Sequence, residues 1–146
     1  MLKLIRSMKF AFYGIWKAAK QEINFRIHIV AICFLVLFAS SYTLTNMEIA
    51  ILVLTVSAVL TAEIFNTAIE NTINLVTDRH HEIAKVVKDL SAGAVLITAI
   101  VSLVIFYLIF STKPVLIADI ISLKNIIIFI AVASILFMPT EPKFKR

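Results

Sequence analysis

Apolar residues crowd into four stretches of the chain, 29–44, 49 to about 69, 90–110 and 115–138, with polar residues gathered between them. A helix that crosses a bilayer needs about 20 mostly apolar residues. The third stretch meets that need with 21 uncharged residues, whereas the first is short at 16. The second reaches full length only with Glu63 near its end, and the fourth is interrupted by Asp119 and Lys124. It reads as a span entered at a tilt from Lys124, or as an interfacial segment followed by a short span. The first 23 residues follow a different rhythm. Lys3, Arg6, Lys9, Tyr13, Lys17 and Lys20 recur every three or four positions, and Leu2, Ile5, Met8, Phe12, Ile15, Trp16, Ala19 and Ile23 fill the opposite side. That spacing predicts an amphipathic helix lying in the membrane interface. The expected architecture is an all-α membrane protein: an N-terminal surface helix, three core transmembrane helices and a fourth, C-terminal one.

Composition turns this pattern into a statement about solvent. With 61% hydrophobic residues, 16% charged and a mean hydropathy of +1.00 in 146 residues, the chain carries more apolar surface than so small a core can bury. Because apolar segments recur to the C-terminus, a lone signal peptide is not the explanation. Twelve of the 14 Lys and Arg residues fall before the first span, between the second and third, or after the fourth. The positive-inside rule then puts both termini and the 71–89 loop in the cytoplasm. Three spans would leave Lys143, Lys145 and Arg146 outside, so the charge count favours four. The net charge of +5 needs no nucleic-acid partner, since anionic lipid of the cytoplasmic leaflet suffices. Cys33, the single cysteine, lies in an apolar span and reads as a small hydrophobe.

Candidate chemistry begins at "AEIFNTAIENTINLVTD", residues 62–78. At 100° per residue Glu63, Asn66, Glu70 and Asn74 fall within a stripe roughly 80° wide on one helix. If the second span enters from outside near Met47, Glu63 lies about 24 Å along it, near the cytoplasmic edge of a core about 30 Å thick. Carboxylates at that depth are costly and face a bundle interior, a water cavity or a site. Polar contact between helices is the plainer explanation, yet two carboxylates and an amide in one line exceed what that requires.

Two further groups join the stripe. In "AKVVKDLSAGAVL", Lys85, Lys88 and Ala92 share a face, with Asp89 beside Lys88, and the small residues 91–94 allow another helix to approach. In "QEINFRIHI", Glu22 and Arg26 stand at i,i+4 where the chain enters the membrane. An exposed pair at that spacing is an ordinary surface ion pair. His80 and His81 of "DRHHE" match no metal-site spacing and read as solvated loop. Paired carboxylates to hold Mg²⁺, a lysine to offset phosphate charge and a further carboxylate near a hydroxyl make a phosphoryl-transfer inventory. With Gly14 and Gly93 the only glycines, no glycine-rich phosphate loop exists, so metal and side chains must hold any nucleotide. A small cation or proton channel or transporter subunit is the alternative from another class, although a conduction path would reach across the membrane.

These segments carry a resemblance. "QEINFRIHI", "AEIFNTAIE" and "KDLSAGAVL" together resemble the small integral-membrane lipid kinases of prokaryotes, the diacylglycerol kinase and undecaprenol kinase family, over about residues 5–110. The "NFRIH" wording is similar to the undecaprenol kinase branch. The resemblance implies a homotrimer of three-span protomers in the bacterial cell membrane, with composite sites between subunits at the cytoplasmic face. MgATP would phosphorylate a membrane lipid alcohol, undecaprenol in the first place and diacylglycerol in the second. Residues 1–110 would form the kinase domain and 111–146 an extension. By position in the motifs, Glu63 matches the catalytic carboxylate, Glu22 and Glu70 the metal-associated carboxylates, and Asn66, Lys88 and Asp89 the nucleotide-site residues. Arg26 matches a residue near the site. Asn74 departs from the pattern, standing where the family usually has an aspartate.

Overall fold

A computed structural model of the chain describes residues 2–77, 81–114 and 123–140. Helix α1, Leu2–Gln21, is followed after Glu22 by α2, Ile23–Ala39, and the two axes bend by 100° at that junction. Then come α3, Asn46–Val76, and α4, Glu82–Phe110. A short helix α5, Leu123–Ala133, continues as a 3₁₀ turn over Ser134–Phe137. Every regular element among the described residues is helical.

Helices α3 and α4 are each long and apolar enough to cross a membrane, and the bent α1–α2 pair counts as a third span only if taken as one unit. At 1.5 Å per residue α3 and α4 run about 46 and about 43 Å, longer than a hydrocarbon core of about 30 Å. Their excess carries the polar residues of the α3–α4 turn beyond the lipid tails. The 71–89 stretch expected as a cytoplasmic loop is therefore mostly helix, with α3 running to Val76 and α4 starting at Glu82. That agrees with the helical stripe expected through Asn74 and the helical face expected from Lys85 to Ala92, and the apolar limits at about 69 and at 90 mark where polarity begins and not where the helices end. At the start of α4 the His81 Nδ1 accepts from the Ile83 N–H at 3.2 Å, which gives this loop residue a capping role.

The first apolar stretch is shifted in the same way. Expected at 29–44, the helix occupies Ile23–Ala39 and ends in the turn at Ser40 and Ser41. Its polar opening residues do not stop it, since Arg26 is buried against main chain. As for the fourth stretch, α5 and its 3₁₀ turn reach about 25 Å. Residues 115–122 of the expected span and the basic tail with Lys143, Lys145 and Arg146 lie outside the described residues.

Packing is most extensive between α3 and α4. At the end away from the polar turn, Thr45 caps α3 in a reciprocal arrangement with Glu48, whose carboxylate meets Lys113 after α4 at 3.0 Å. Beside it Phe38 of α2 stacks near Phe106 and Phe110 of α4, with ring centroids 5.3 and 5.1 Å apart. Helix α5 lies along α2, where Phe129 meets Phe34 edge-on at 6.0 Å. Among the described residues the buried hydrophobic ones are few; Glu63 and Arg26 are more buried than any of them, and Gln21, Asn66 and Ser91 fall within their range. Most large apolar side chains point outward, as expected when the solvent is lipid.

Candidate functional site

The stripe on α3 faces α4. Glu63 is only 1% exposed and Asn66 5%, while Glu70 and Asn74, further along the helix, are half-buried. Across from them α4 supplies Ser91 and Lys88, three residues apart and so on one face. The Ser91 hydroxyl donates to Asn66 Oδ1 at 2.6 Å, and the Asn66 amide nitrogen donates to Glu70 Oε1 at 3.3 Å. Lys88 Nζ donates to Asn74 Oδ1 at 2.7 Å.

This network has a direction. An amide side chain can turn over, and its partners decide which end points where. Because Ser91 offers a hydrogen to one end, the Asn66 NH₂ is left facing the Glu70 carboxylate, which it can only help by donating. The second carbonyl near Ser91, that of Lys88 at 2.8 Å, lies within the helix and has the helical ladder for a partner. At the turn, Asn74 accepts from Lys88 without adding charge. An amide there leaves the ammonium's positive charge uncompensated, whereas a carboxylate would offset most of it.

Glu63 and Asn66 line a cavity of about 260 Å³ together with Asn24 and His28 of α2 and Ala92 of α4. Next to it a second cavity of about 240 Å³ is walled by apolar groups of α2, α3 and α4, Ile32, Val56 and Phe106 among them. His28 lines both, so a cavity whose otherwise apolar wall carries Asn24, His28, Glu63 and Asn66 shares a wall residue with a greasy one. A carboxylate buried in such surroundings is costly to place and is kept where it packs against a bundle interior or serves a site.

The remaining expected residues are Asp89, Glu22 and Arg26. Asp89 is exposed on α4. Glu22 occupies the junction between α1 and α2, with extended backbone. Arg26 is 2% exposed and donates to main-chain carbonyls of Ala19, Lys20, Ile135, Met138 and Pro139, so it is not the exposed half of a surface pair. Ser91 is the residue the sequence reading undervalued, as a small residue that permits contact. Its position three residues after Lys88, on the same helical face, was the available signal. Gly93, placed in the same small-residue group, has nothing within 4 Å of where a Cβ would stand.

For a metal, the oxygen donors present are of the right kind, since Mg²⁺ takes hard oxygen ligands. No group of three or more His, Cys, Asp or Glu gathers among the described residues. That agrees with a magnesium held by one or two carboxylates together with substrate phosphates.

The profile of the prokaryotic diacylglycerol kinase family matches residues 9–110. Among individual proteins, the chain is 39% identical to the undecaprenol kinase of Bacillus subtilis over 111 residues, 76% of this chain and 90% of that protein. It is 37% identical to a diacylglycerol kinase of Synechocystis over 70% of this chain and 59% of that longer protein. With the diacylglycerol kinase of Escherichia coli K12 it shares 28% identity over 70% of this chain and 84% of the relative. No solved structure matches the chain.

Proposed function

The chain belongs to the prokaryotic diacylglycerol kinase family, and from that premise we propose that it transfers the γ-phosphate of ATP to undecaprenol, making undecaprenyl phosphate. The observation that carries the proposal is Glu63: a carboxylate 1% exposed, set with Asn24, His28 and Asn66 in the wall of a cavity that shares His28 with an apolar one. A lipid alcohol needs such a pair of chambers, one for its hydroxyl and one for the adjoining hydrocarbon. The diacylglycerol kinases among the relatives make diacylglycerol the second reading for the acceptor.

In this reading the lipid hydroxyl enters from the bilayer and Glu63 orients it and accepts its proton. Lys88, fixed by the neutral Asn74, offsets charge on the incoming phosphates, and Asp89 and Asn66 complete the nucleotide site. Glu70, aimed by Asn66, and Glu22 would hold Mg²⁺, which when bound would neutralise phosphate charge during transfer. The nucleotide reaches the site from the cytoplasm, where the basic flanks of the spans belong. A homotrimer suits the many outward apolar side chains of α3 and α4 and a site open to completion by a neighbouring copy. The C-terminal region would act as a fourth span, so that a Lys145→Cys variant made in a Cys33→Ala background resists an impermeant thiol reagent in intact cells.

Reconstitution tests the acceptor. Purified protein in liposomes with ATP, Mg²⁺ and equal amounts of undecaprenol and diacylglycerol should yield chiefly undecaprenyl phosphate. A product that is mainly phosphatidic acid would move the assignment to the second lipid. Cation or proton flux without any lipid phosphate would replace the kinase reading with the channel one.

A further inference from the structure

The kinase chemistry leaves one buried cation unexplained. The guanidinium of Arg26 joins two pieces of chain more than a hundred residues apart. Its Nε donates to the Ala19 carbonyl at 2.6 Å and its Nη2 to that of Lys20 at 2.7 Å. On the other side Nη1 donates to the Met138 carbonyl and, at 3.4 Å, to that of Ile135, while Nη2 also reaches Pro139 at 3.4 Å. We propose that Arg26 is a clamp that docks residues 123–140 in cis on the α1–α2 elbow, and that this docked segment holds Glu22 in position.

Three features lead to this reading. The elbow interrupts the helical ladder at Glu22, whose extended backbone leaves the Ala19 and Lys20 carbonyls in need of donors. On the far side Ile135 lies in the 3₁₀ turn over Ser134–Phe137, Met138 caps its C-terminal end and Pro139 follows. Each helix C-terminus bears roughly half a negative charge, so two ends meeting one guanidinium come close to neutrality without a carboxylate. Only arginine can do this, because its flat fork presents donors in several directions at once and lysine has a single point charge.

The contact is not confined to the tip. Phe129 packs edge-on against Phe34 of α2 at 6.0 Å, so α5 lies along α2 before its end reaches Arg26. Residues 123–140 fall beyond the family match, which ends at residue 110. The brace is thus an addition to the matched core, and it bears on the junction that carries Glu22, four residues before Arg26 on the same chain.

The test uses the full chain in a Cys33→Ala background. Nitroxides on cysteines at Tyr13→Cys and Phe137→Cys, both exposed positions, report the distance between α1 and the C-terminal segment. The labelled protein is diluted with unlabelled protein so that only pairs within one chain are read. The expected result is one narrow distance in the parent that broadens in Arg26→Gln and also in Arg26→Lys. A parent without a defined intrachain distance, including docking on a neighbouring copy, overturns the proposal, and so does an unchanged distribution in Arg26→Gln.

The effect on Glu22 rests on the metal role proposed above and has its own readout. Phe129→Ala, which loosens the docked segment away from the elbow, should raise the half-saturating Mg²⁺ concentration severalfold, and adding Arg26→Gln should raise it no further. A Phe129→Ala curve that overlays the parent shows that the segment does not hold Glu22. Glu22→Gln measured alongside separates the two ideas: if it alone leaves the Mg²⁺ curve in place, the metal role fails while the distance measurement still decides the clamp.

Discussion

Polar groups are buried in two places, the α3–α4 face and the α1–α2 elbow, and they are satisfied by opposite means. On the α3–α4 face side chains bond to side chains: Ser91 to Asn66, Asn66 to Glu70, Lys88 to Asn74. At the elbow one side chain bonds to five main-chain carbonyls, two at the end of α1 and three at or just past the end of the C-terminal helical segment. The first arrangement holds a lysine by a neutral amide and sets a buried carboxylate beside a cavity. The second spreads one guanidinium over main-chain carbonyls and closes the structure. In the proposed reaction the first region meets the substrate and the second holds the frame around it.

Substitutions separate the two regions, and the largest effect belongs to the face. Glu63→Gln should lower turnover by about two orders of magnitude or more if the carboxylate takes the hydroxyl proton, while the protein still inserts and purifies. Near-normal turnover in that variant would end the assignment of Glu63 as base. Next come Glu22→Gln and Glu70→Gln, each expected to raise the Mg²⁺ requirement by about tenfold with lipid binding preserved. Titrations that overlay the parent would make these glutamates structural.

A smaller effect is expected at Ser91→Ala. Removing one neutral hydrogen bond costs about 1 kcal/mol, and a loss of that size in the site lowers the rate by a factor of about five. Because Ser91 fixes the Asn66 amide that donates to Glu70, the loss should appear in the Mg²⁺ titration as well as in turnover. Ser91→Thr, which keeps a hydroxyl, should recover part of both. The smallest effect is reserved for the opposite end of the hairpin. Glu48→Gln weakens the half-buried pair with Lys113, far from the polar stripe, and should leave turnover and Mg²⁺ dependence unchanged.

The two regions also differed in how far the sequence revealed them. The stripe of Glu63, Asn66, Glu70 and Asn74 was legible because helical periodicity is a property of side-chain spacing, and the structure keeps all four on the side that meets α4. Lys88 was legible for the same reason. Arg26 was not, since its partners are carbonyls that every residue possesses, and those of Ile135, Met138 and Pro139 lie more than a hundred positions away. Helix limits were misjudged wherever polarity was taken to mean water. Residues 70–76 and 82–89 continue α3 and α4 past the apolar stretches, with Lys88 bonded to Asn74 between them, and α2 begins at Ile23 although Asn24 and Arg26 follow at once.

The account stands most directly on which membrane face feeds the site. In vesicles made from cells expressing the chain, labelled ATP is supplied outside to inside-out and to right-side-out preparations, and lipid phosphate is measured in each. The prediction is labelled lipid phosphate from inside-out vesicles, and none from right-side-out vesicles until they are permeabilised. Lipid phosphate formed by sealed right-side-out vesicles, or none formed by either preparation, would contradict a lipid kinase whose α3–α4 face meets ATP from the cytoplasm.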